Sequence, residues 1–515
     1  MRARRRTVHN RRMEQPLRNI ELKAHDPTPD RGRVELLCVE RAEAEAIYDQ
    51  GREVVVAVLL RMDEQILRLE QRVARQEERI AQLERRLNRS SRNSSKPPSA
   101  DAPSSPPRRS KDPSGRKPGA QSGHEGHGRE LLPACAVDEV VEHWPERCGC
   151  GHVFCEAELR PDGEPARHQV EELPVLTVKV VEHRAQCLRC PECGERARAE
   201  LPNEVAASAF GPRLQAALVA LSVRNRVSRR DVVELAEELF GARLSTGSVD
   251  AVLTRASEAL AEPYEDLLTR VRAAATLNAD ETGWRTAGER RALWGLFTSR
   301  HAFFQVARDR HEDHAKRLLA DTQAVVTSDR WWAYRSLPLR RRQLCWSHLQ
   351  RDFAAHAEGL AAEREFGEHG LELSRKVFWA WEVFQYTHDR RELKRTVTRL
   401  QRTYEPVIAG YAAKRARNKR CRGMARNLLK AWPALWTFAK HEGVQPTNNH
   451  AERALRSAVI YRKLSLGSQS ESGERRIERL LSAHTTCRLQ HRSLFAYLTD
   501  AITTHTRGDP APLLT

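Results

Sequence analysis

The sequence predicts a multidomain α/β protein: a mixed α/β core with a helical insertion, preceded by a coiled coil, a cysteine-knuckle domain and a helical domain. Three observations carry that expectation. An aliphatic heptad seam runs from Leu59 to Leu87. Seven of the eleven cysteines fall within residues 131–200. After residue 272 the texture changes to apolar, strand-like segments that end in acidic residues.

Residues 1–54 are basic, then mixed, without periodicity, and are expected to be poorly ordered. Six arginines in the first twelve residues lead into no apolar core, which is not a secretory pattern; Met13 offers a second start. The longest apolar run, Val54 to Leu60, is far too short to span a bilayer. A cytoplasmic, nucleoid-associated protein is expected, with its cysteines reduced. The net charge of +18 and pI near 9.7 call for a polyanionic partner. Nucleic acid fits better than a membrane, because no amphipathic lipid anchor is evident.

Residues 55–89 read as the coiled coil. Leu59, Met62, Ile66, Leu69, Val73, Gln76, Ile80, Leu83 and Leu87 follow alternating steps of three and four, with Glu70, Arg72, Glu77 and Arg79 outside the seam. A stripe of this kind must be covered. It either packs on its own domain or pairs with a second copy, and the Ser- and Pro-rich sequence that follows offers no local core. Self-association is therefore expected, with Gln76 fixing register at some cost in stability. Residues 90–130 are a low-complexity linker whose composition cannot offset chain entropy. Its basic Gly115-Arg116-Lys117-Pro118-Gly119 is a solvated stretch or a minor-groove arm.

In residues 131–200, Cys190-Pro-Glu-Cys193-Gly has the spacing of a metal knuckle. Cys148-Gly-Cys150-Gly has one intervening residue instead of two, and Cys155 and Cys187 lie close by. Four thiolates around a structural, tetrahedral Zn²⁺ is the natural reading, with Cys148, Cys150, Cys190 and Cys193 as ligands. Apolar stretches such as VLTVKVV suggest short strands. Residues 201–270 read as a helical, DNA-binding domain. Ser228 can cap RRDVVELAEELF, Gly241 can end it, and Ser245 or Thr246 can cap the next helix. The pattern suits a helix-turn-helix and an ordinary helical hairpin equally.

Residues 271–353 open the core. AATLNADETGW reads as a strand ending in Asp280 and Glu281, and ALWGLFTS and HAFFQVA as the next two strands. HEDHAKRLLA follows as a helix, and QAVVTSD as a buried strand ending in Asp329. Aspartates at the ends of neighbouring strands can share a divalent cation, and hard oxygen donors favour Mg²⁺ or Mn²⁺ over zinc. Residues 354–445 form a helical insertion with the dense basic stretch KRARNKRCRGMAR. Residues 446–505 complete the core with Glu452, on a helix that Asn448 or Asn449 can cap; 506–515 are a tail.

The segments NSSKPPSAD, GHEGH, the cysteine knuckles, ADETGWR, SDRWWAY, CWSHLQRDF and NNHAERALRSAVIYRKLSLGS together resemble the insertion-sequence-66 family of transposases over residues 55–505. CGCG is one residue short of the family's first knuckle. The resemblance implies a ribonuclease-H-like catalytic core of the Asp-Asp-Glu type. It carries the triad onto Asp280, Asp329 and Glu452, holding two Mg²⁺ (or Mn²⁺) ions for DNA cleavage at element ends and strand transfer into target DNA. Arg453, Arg456, Arg462 and Lys463 are expected to hold DNA phosphates. Cys345 and His348 superficially suggest a thiol–imidazole pair, but phosphoryl transfer here needs no protein nucleophile, so they are read as structural. The implied partners are DNA, a second copy through the coiled coil, and accessory proteins of the same element. Two rival readings remain. One is a non-catalytic DNA-binding regulator, disfavoured because all three acids and their flanks are intact. The other is a zinc-dependent nuclease, disfavoured because the cysteine cluster lacks a His or carboxylate for an open site.

Overall fold

The computed structural model describes residues 41–87, 130–359, 361–413 and 418–515. The basic start up to residue 40, the linker up to 129 and the first four residues of the KRARNKRCRGMAR stretch lie outside the described residues. The chain divides into two units, Met1–Asn88 and Arg89–Thr515.

In the first unit, α1 (Arg41–Asp49) is followed after Gly51 by α2 (Arg52–Leu87). The seam residues Leu59, Met62, Ile66, Leu69, Val73 and Ile80 are all exposed along α2. At 36 residues the helix is about 54 Å long, and its apolar stripe has no cover among the described residues.

The second unit begins with cysteine-rich sequence that holds only one small hairpin, β1 (Cys187–Arg189) against β2 (Arg196–Arg198). The strand expected at VLTVKVV does not form. Val178 donates its N–H to Phe240 O at 2.9 Å, while Val175 and Val180 are 92% and 86% exposed. No partner strand lies beside this segment among the described residues, and an extended chain without a ladder is not a strand.

Helices α3 (Asn203–Ala206), α4 (Pro212–Val223), α5 (Arg229–Phe240), α6 (Thr246–Ala259) and α7 (Ala261–Ala273) come next. Their punctuation is the one read from sequence. Ser228 Oγ accepts from Asp231 N, Gly241 closes α5 in the left-handed region, and Ser245 Oγ accepts from Ser248 N. Helix α6 is heavily packed. The residues it exposes are Thr246, Gly247, Ala251 and Glu258, none of them basic, while Val249, Val252, Leu253 and Ala256 are buried. That is the burial of a packed helical hairpin.

A five-stranded sheet follows: β3 (Thr276–Thr286), β4 (Glu289–Phe297), β5 (Ala302–Ala307), β6 (Val325–Ser328) and β7 (Arg342–Leu344). The order is β5-β4-β3-β6-β7; the first three strands are antiparallel, and β6 and β7 run parallel to β3. Helix α8 (Glu312–Leu318) lies between β5 and β6. The insertion contains α9 (Trp346–Ala357) at its root, then α10 (Ala361–Thr387), α11 (Arg390–Ala412), α12 (Lys419–Lys430) and α13 (Thr437–Lys440). The chain returns through α14 (Asn449–Ser465), α15 (Glu471–Leu489) and α16 (Leu494–Arg507).

Two cores result. One joins α4 to α7, the antiparallel strands and α14 to α16; the other joins Val325 and Leu344 to the insertion helices around Trp346, Phe366 and Trp436. Residues 506–515 are not a loose tail: Leu514 is buried and Tyr497 donates its hydroxyl to Pro512 O at 3.0 Å.

The exposed edge of β5 is closed by side chains. Its alternate amides at Ala302, Phe304 and Val306 donate to Thr486 Oγ1, Ser482 Oγ and Glu478 Oε1 at 3.0, 3.0 and 2.7 Å. The acceptors are spaced four apart on α15 and the donors two apart on β5. Two turns of helix therefore match four residues of strand, since 1.5 Å × 8 and 3.3 Å × 4 are both about 12–13 Å. Buried amides that no further strand can reach are satisfied in this way.

Candidate active site

The parallel pairing of β3 with β6 puts the two aspartates level. Asn278 pairs with Thr327, and Asp280 and Asp329 each stand two residues further along. The strand does not end at Asp280 as expected; β3 continues to Thr286 against β4, and Asp280 marks the place where β6 leaves it. The site is thus at the carboxyl end of the parallel pair, where strands part and a ligand can enter.

Glu452 arrives on the first turn of α14, and Asn448 determines where that helix sits. Asn448 occupies the N-cap position, but its side chain caps nothing. It is fully buried, donates to Ala279 O at 2.9 Å and accepts from Asn278 Nδ2 at 2.9 Å, while its own N–H donates to Cys345 Sγ at 3.1 Å. One side chain therefore joins the Glu452 helix to the strand of Asp280, and its amide joins it to the start of α9. The far end of α14 is held too: Arg462 donates to Thr282 Oγ1 at 3.1 Å and to Gly283 O. A Cβ on Gly283 would stand 3.3 Å from that guanidinium, so glycine leaves room for the contact.

Beyond α14, Ser468 N donates to Arg285 O and Ala287 N to Ser468 O, both at 2.9 Å. Gly467 (φ +108°) makes this possible, because a Cβ there would meet Arg285 O at 2.2 Å.

The carboxylates sense one another. Asp280 is pushed well above the usual carboxylate range, by burial first and then by the negative charges of Glu281, Asp329 and Glu452; the Glu281 N–H it accepts works against this. Asp329 Oδ1 accepts from Trp331 N at 2.8 Å, and its carbonyl accepts from Arg342 at 3.0 Å. Glu452 is turned toward α9, 3.3 Å from Arg351 and 3.7 Å from His348 Nδ1. Among the described residues, no three His, Cys, Asp or Glu side chains converge closely enough to hold an ion. The donor set is nevertheless of the right kind. Hard oxygens whose negative charges hold the proton on buried Asp280 are the groups a divalent cation stabilises.

Glu281 lies on the opposite face of β3. It accepts the buried Tyr334 hydroxyl at 2.7 Å and is pushed up to about 7, by burial and then by Asp329. Cys345 is buried, its thiol pushed up by burial, and it accepts the Asn448 amide, a contact that holds the start of α14.

The family profile described as Transposase IS66 family matches residues 207–476, more than half of the chain. The chain belongs to this family. An uncharacterized protein, y4hP, of Sinorhizobium fredii (strain NBRC 101917 / NGR234) is 24% identical over 406 residues, covering 71% of each chain. A second profile, a family of unknown function, matches residues 39–130. The IS66 match spans all three acids, the α4–α7 helices and the whole insertion. Among the described residues, no helix is long and apolar enough to cross a membrane.

The four basic residues expected on α14 divide in this IS66 protein. Arg453, Arg456 and Lys463 are exposed, whereas Arg462 is partly buried and committed to β3. The cysteine pairs each sit in a turn. Cys190 O accepts from Gly194 N at 3.0 Å and Cys148 O from Gly151 N at 2.9 Å, with both glycines at positive φ. Backbone N–H groups aimed at sulfur lower the thiols of Cys190 and Cys150. Among the described residues the two pairs are not gathered into one group. The sequence marks Asn448 only as a helix cap, and nothing in the local pattern of Tyr334 or Arg351 sets them apart.

Proposed function

We propose that this protein is an active transposase. It cuts DNA at the ends of its element and joins the freed 3′-hydroxyls to target DNA, with Asp280, Asp329 and Glu452 holding two Mg²⁺ (or Mn²⁺) ions. One observation carries the reading: the β3–β6 register sets the two aspartates abreast, while Asn448 ties the Glu452 helix to the same strand. The strand order, three antiparallel strands followed by two parallel ones, supports a ribonuclease-H-like core.

When bound, the cations supply Lewis acidity, activating the attacking oxygen and stabilising the leaving 3′-oxygen. The chain's own residues do the rest. Asp280 and Asp329 are held by strand pairing, and Glu452 must turn from Arg351 to join them. Arg453, Arg456 and Lys463 present positive charge to the phosphate backbone beside the site. Cys148, Cys150, Cys190 and Cys193 hold a structural zinc that braces a segment with little core of its own. The α2 stripe pairs with a second copy, bringing two element ends into one complex. Accessory proteins of the same element and a nucleoid location fit this role.

Strand transfer by purified protein with its own element ends and Mg²⁺ tests the proposal. Asp280→Asn, Asp329→Asn and Glu452→Gln should each reduce cutting and joining to background while DNA binding survives. Triad variants that still cleave would remove the assignment. Wild-type protein that binds ends and never cuts them would mark a regulator instead.

A further inference from the structure

Beside the carboxylates lies a cleft of about 750 Å³ that the cutting chemistry does not use. Arg308, Arg310, Arg462 and Lys463 line it, and Trp331 and Trp332 form part of its wall. Trp331 is bound to the candidate active site through its backbone, since its N–H donates to Asp329. Its indole is steadied by donation from Nε1 to Arg310 O at 3.2 Å, yet the residue remains 38% exposed. Trp332 stands 6.0 Å away, centroid to centroid, and is itself propped edge-on by His311 at 5.4 Å. Asp309 is the one acidic residue in the lining, and its carboxylate is occupied by the N–H of His311 at 2.9 Å.

Guanidinium groups alone would suit any DNA backbone. A braced indole left exposed among them, that of Trp331, is a different matter, because a paired, stacked base cannot present its face to a side chain. A recess of this size admits a group as large as a nucleotide and is too small for a duplex. We propose that the cleft takes an unpaired nucleotide of single-stranded DNA, its base stacked on Trp331 and its flanking phosphates on Arg310 and Lys463. Resting on the transposase reading for the strand's identity, this nucleotide is the one next to the scissile phosphate, so the element end is opened where it is cut.

The test compares full-length wild type, Trp331→Ala, Trp331→Phe and Lys463→Gln. The probes are a fluorescein-labelled twelve-nucleotide oligothymidylate and a duplex of the same length. Stacking worth about 1–3 kcal/mol per base corresponds to a loss of roughly 5- to 150-fold in single-strand affinity for Trp331→Ala. Duplex affinity should change less than about twofold, which also shows that the variant is folded, and Trp331→Phe should keep most of the single-strand affinity. Lys463→Gln, exposed on the cleft rim, should lower the slope of log affinity against log salt for the oligothymidylate by about 0.7. Unchanged single-strand binding in Trp331→Ala, or an equal loss on both probes, overturns the proposal; should that variant not fold, an unchanged salt slope in Lys463→Gln does so. Neither readout requires cleavage. A wild type that never cuts but loses single-strand binding selectively in Trp331→Ala would remove the transposase reading and leave the cleft assigned.

Discussion

Asn448 shows how one buried amide can organise a site that spans 170 residues of chain. Its Nδ2 donates to a strand carbonyl and its Oδ1 accepts from Asn278, so the two ends of the amide cannot be exchanged. Asn448→Asp keeps the shape and the acceptor but leaves Ala279 O without its donor. We expect a loss of about 1–3 kcal/mol in a urea melt, with cutting reduced beyond what the stability change explains, because Glu452 loses its seat. A second residue-scale prediction concerns Glu281. It alternates with Asp280 along β3 and accepts the Tyr334 hydroxyl, so Glu281→Gln should retain the hydroxyl contact and most of the strand-transfer rate. If Glu281→Gln is inactive and Asp280→Asn is active, the assignment on this strand is off by one. That Asp280 and Glu281 point to opposite faces was legible from the alternation of a strand. That Asn448 would spend its amide on the sheet was not, because Asn at a helix start reads first as a cap.

At the level of elements, the α15–β5 seam has a pH signature. Burial, and then the neighbouring charge of Glu474, push Glu478 up from 4.5 to about 7, with the Val306 N–H, Arg479 and Arg475 opposing. The folded state therefore binds this proton more tightly than the unfolded chain. Its contribution is fully present below about 4.5 and is lost as pH rises through about 7, a change of about 3 kcal/mol. Glu478→Gln keeps an oxygen for the Val306 amide and cannot titrate. Relative to wild type it should gain stability between pH 5 and pH 8, read as a shift in urea midpoints. Parallel responses of the two proteins would show that the seam carries no such charge.

Helix α2 offers another test. Leu69→Lys with Val73→Lys places two charges in its stripe and should convert an associated species to monomer in sedimentation. Helices and most strands here were readable because periodicity and capping are local. Strand β7, three residues long, and the failed strand at VLTVKVV were not, because pairing depends on what lies alongside.

For the molecule as a whole, charge dominates recognition. With six or more phosphate contacts, affinity for DNA should fall about 10³-fold or more between 50 and 200 mM salt, and a flat titration would contradict the electrostatic account. The cysteine turns predict about one zinc per full-length chain by metal analysis, lost in Cys190→Ser with Cys193→Ser.

The order of synthesis adds a consequence of the long insertion. Asp280 and Asp329 leave the ribosome close together, but Glu452 follows only 123 residues after Asp329, roughly 6–25 s later at ordinary elongation rates. Asn448, which seats its helix, and the α15 side chains that close β5 also come late. A nascent or prematurely terminated chain thus carries an unfinished acidic pair and an open sheet edge. Under the proposed triad such a chain would be unable to cut DNA, and its uncovered edge would make it a substrate for quality control. Under that assignment, a chain gains the capacity to cut only after α14 and α15 have been made.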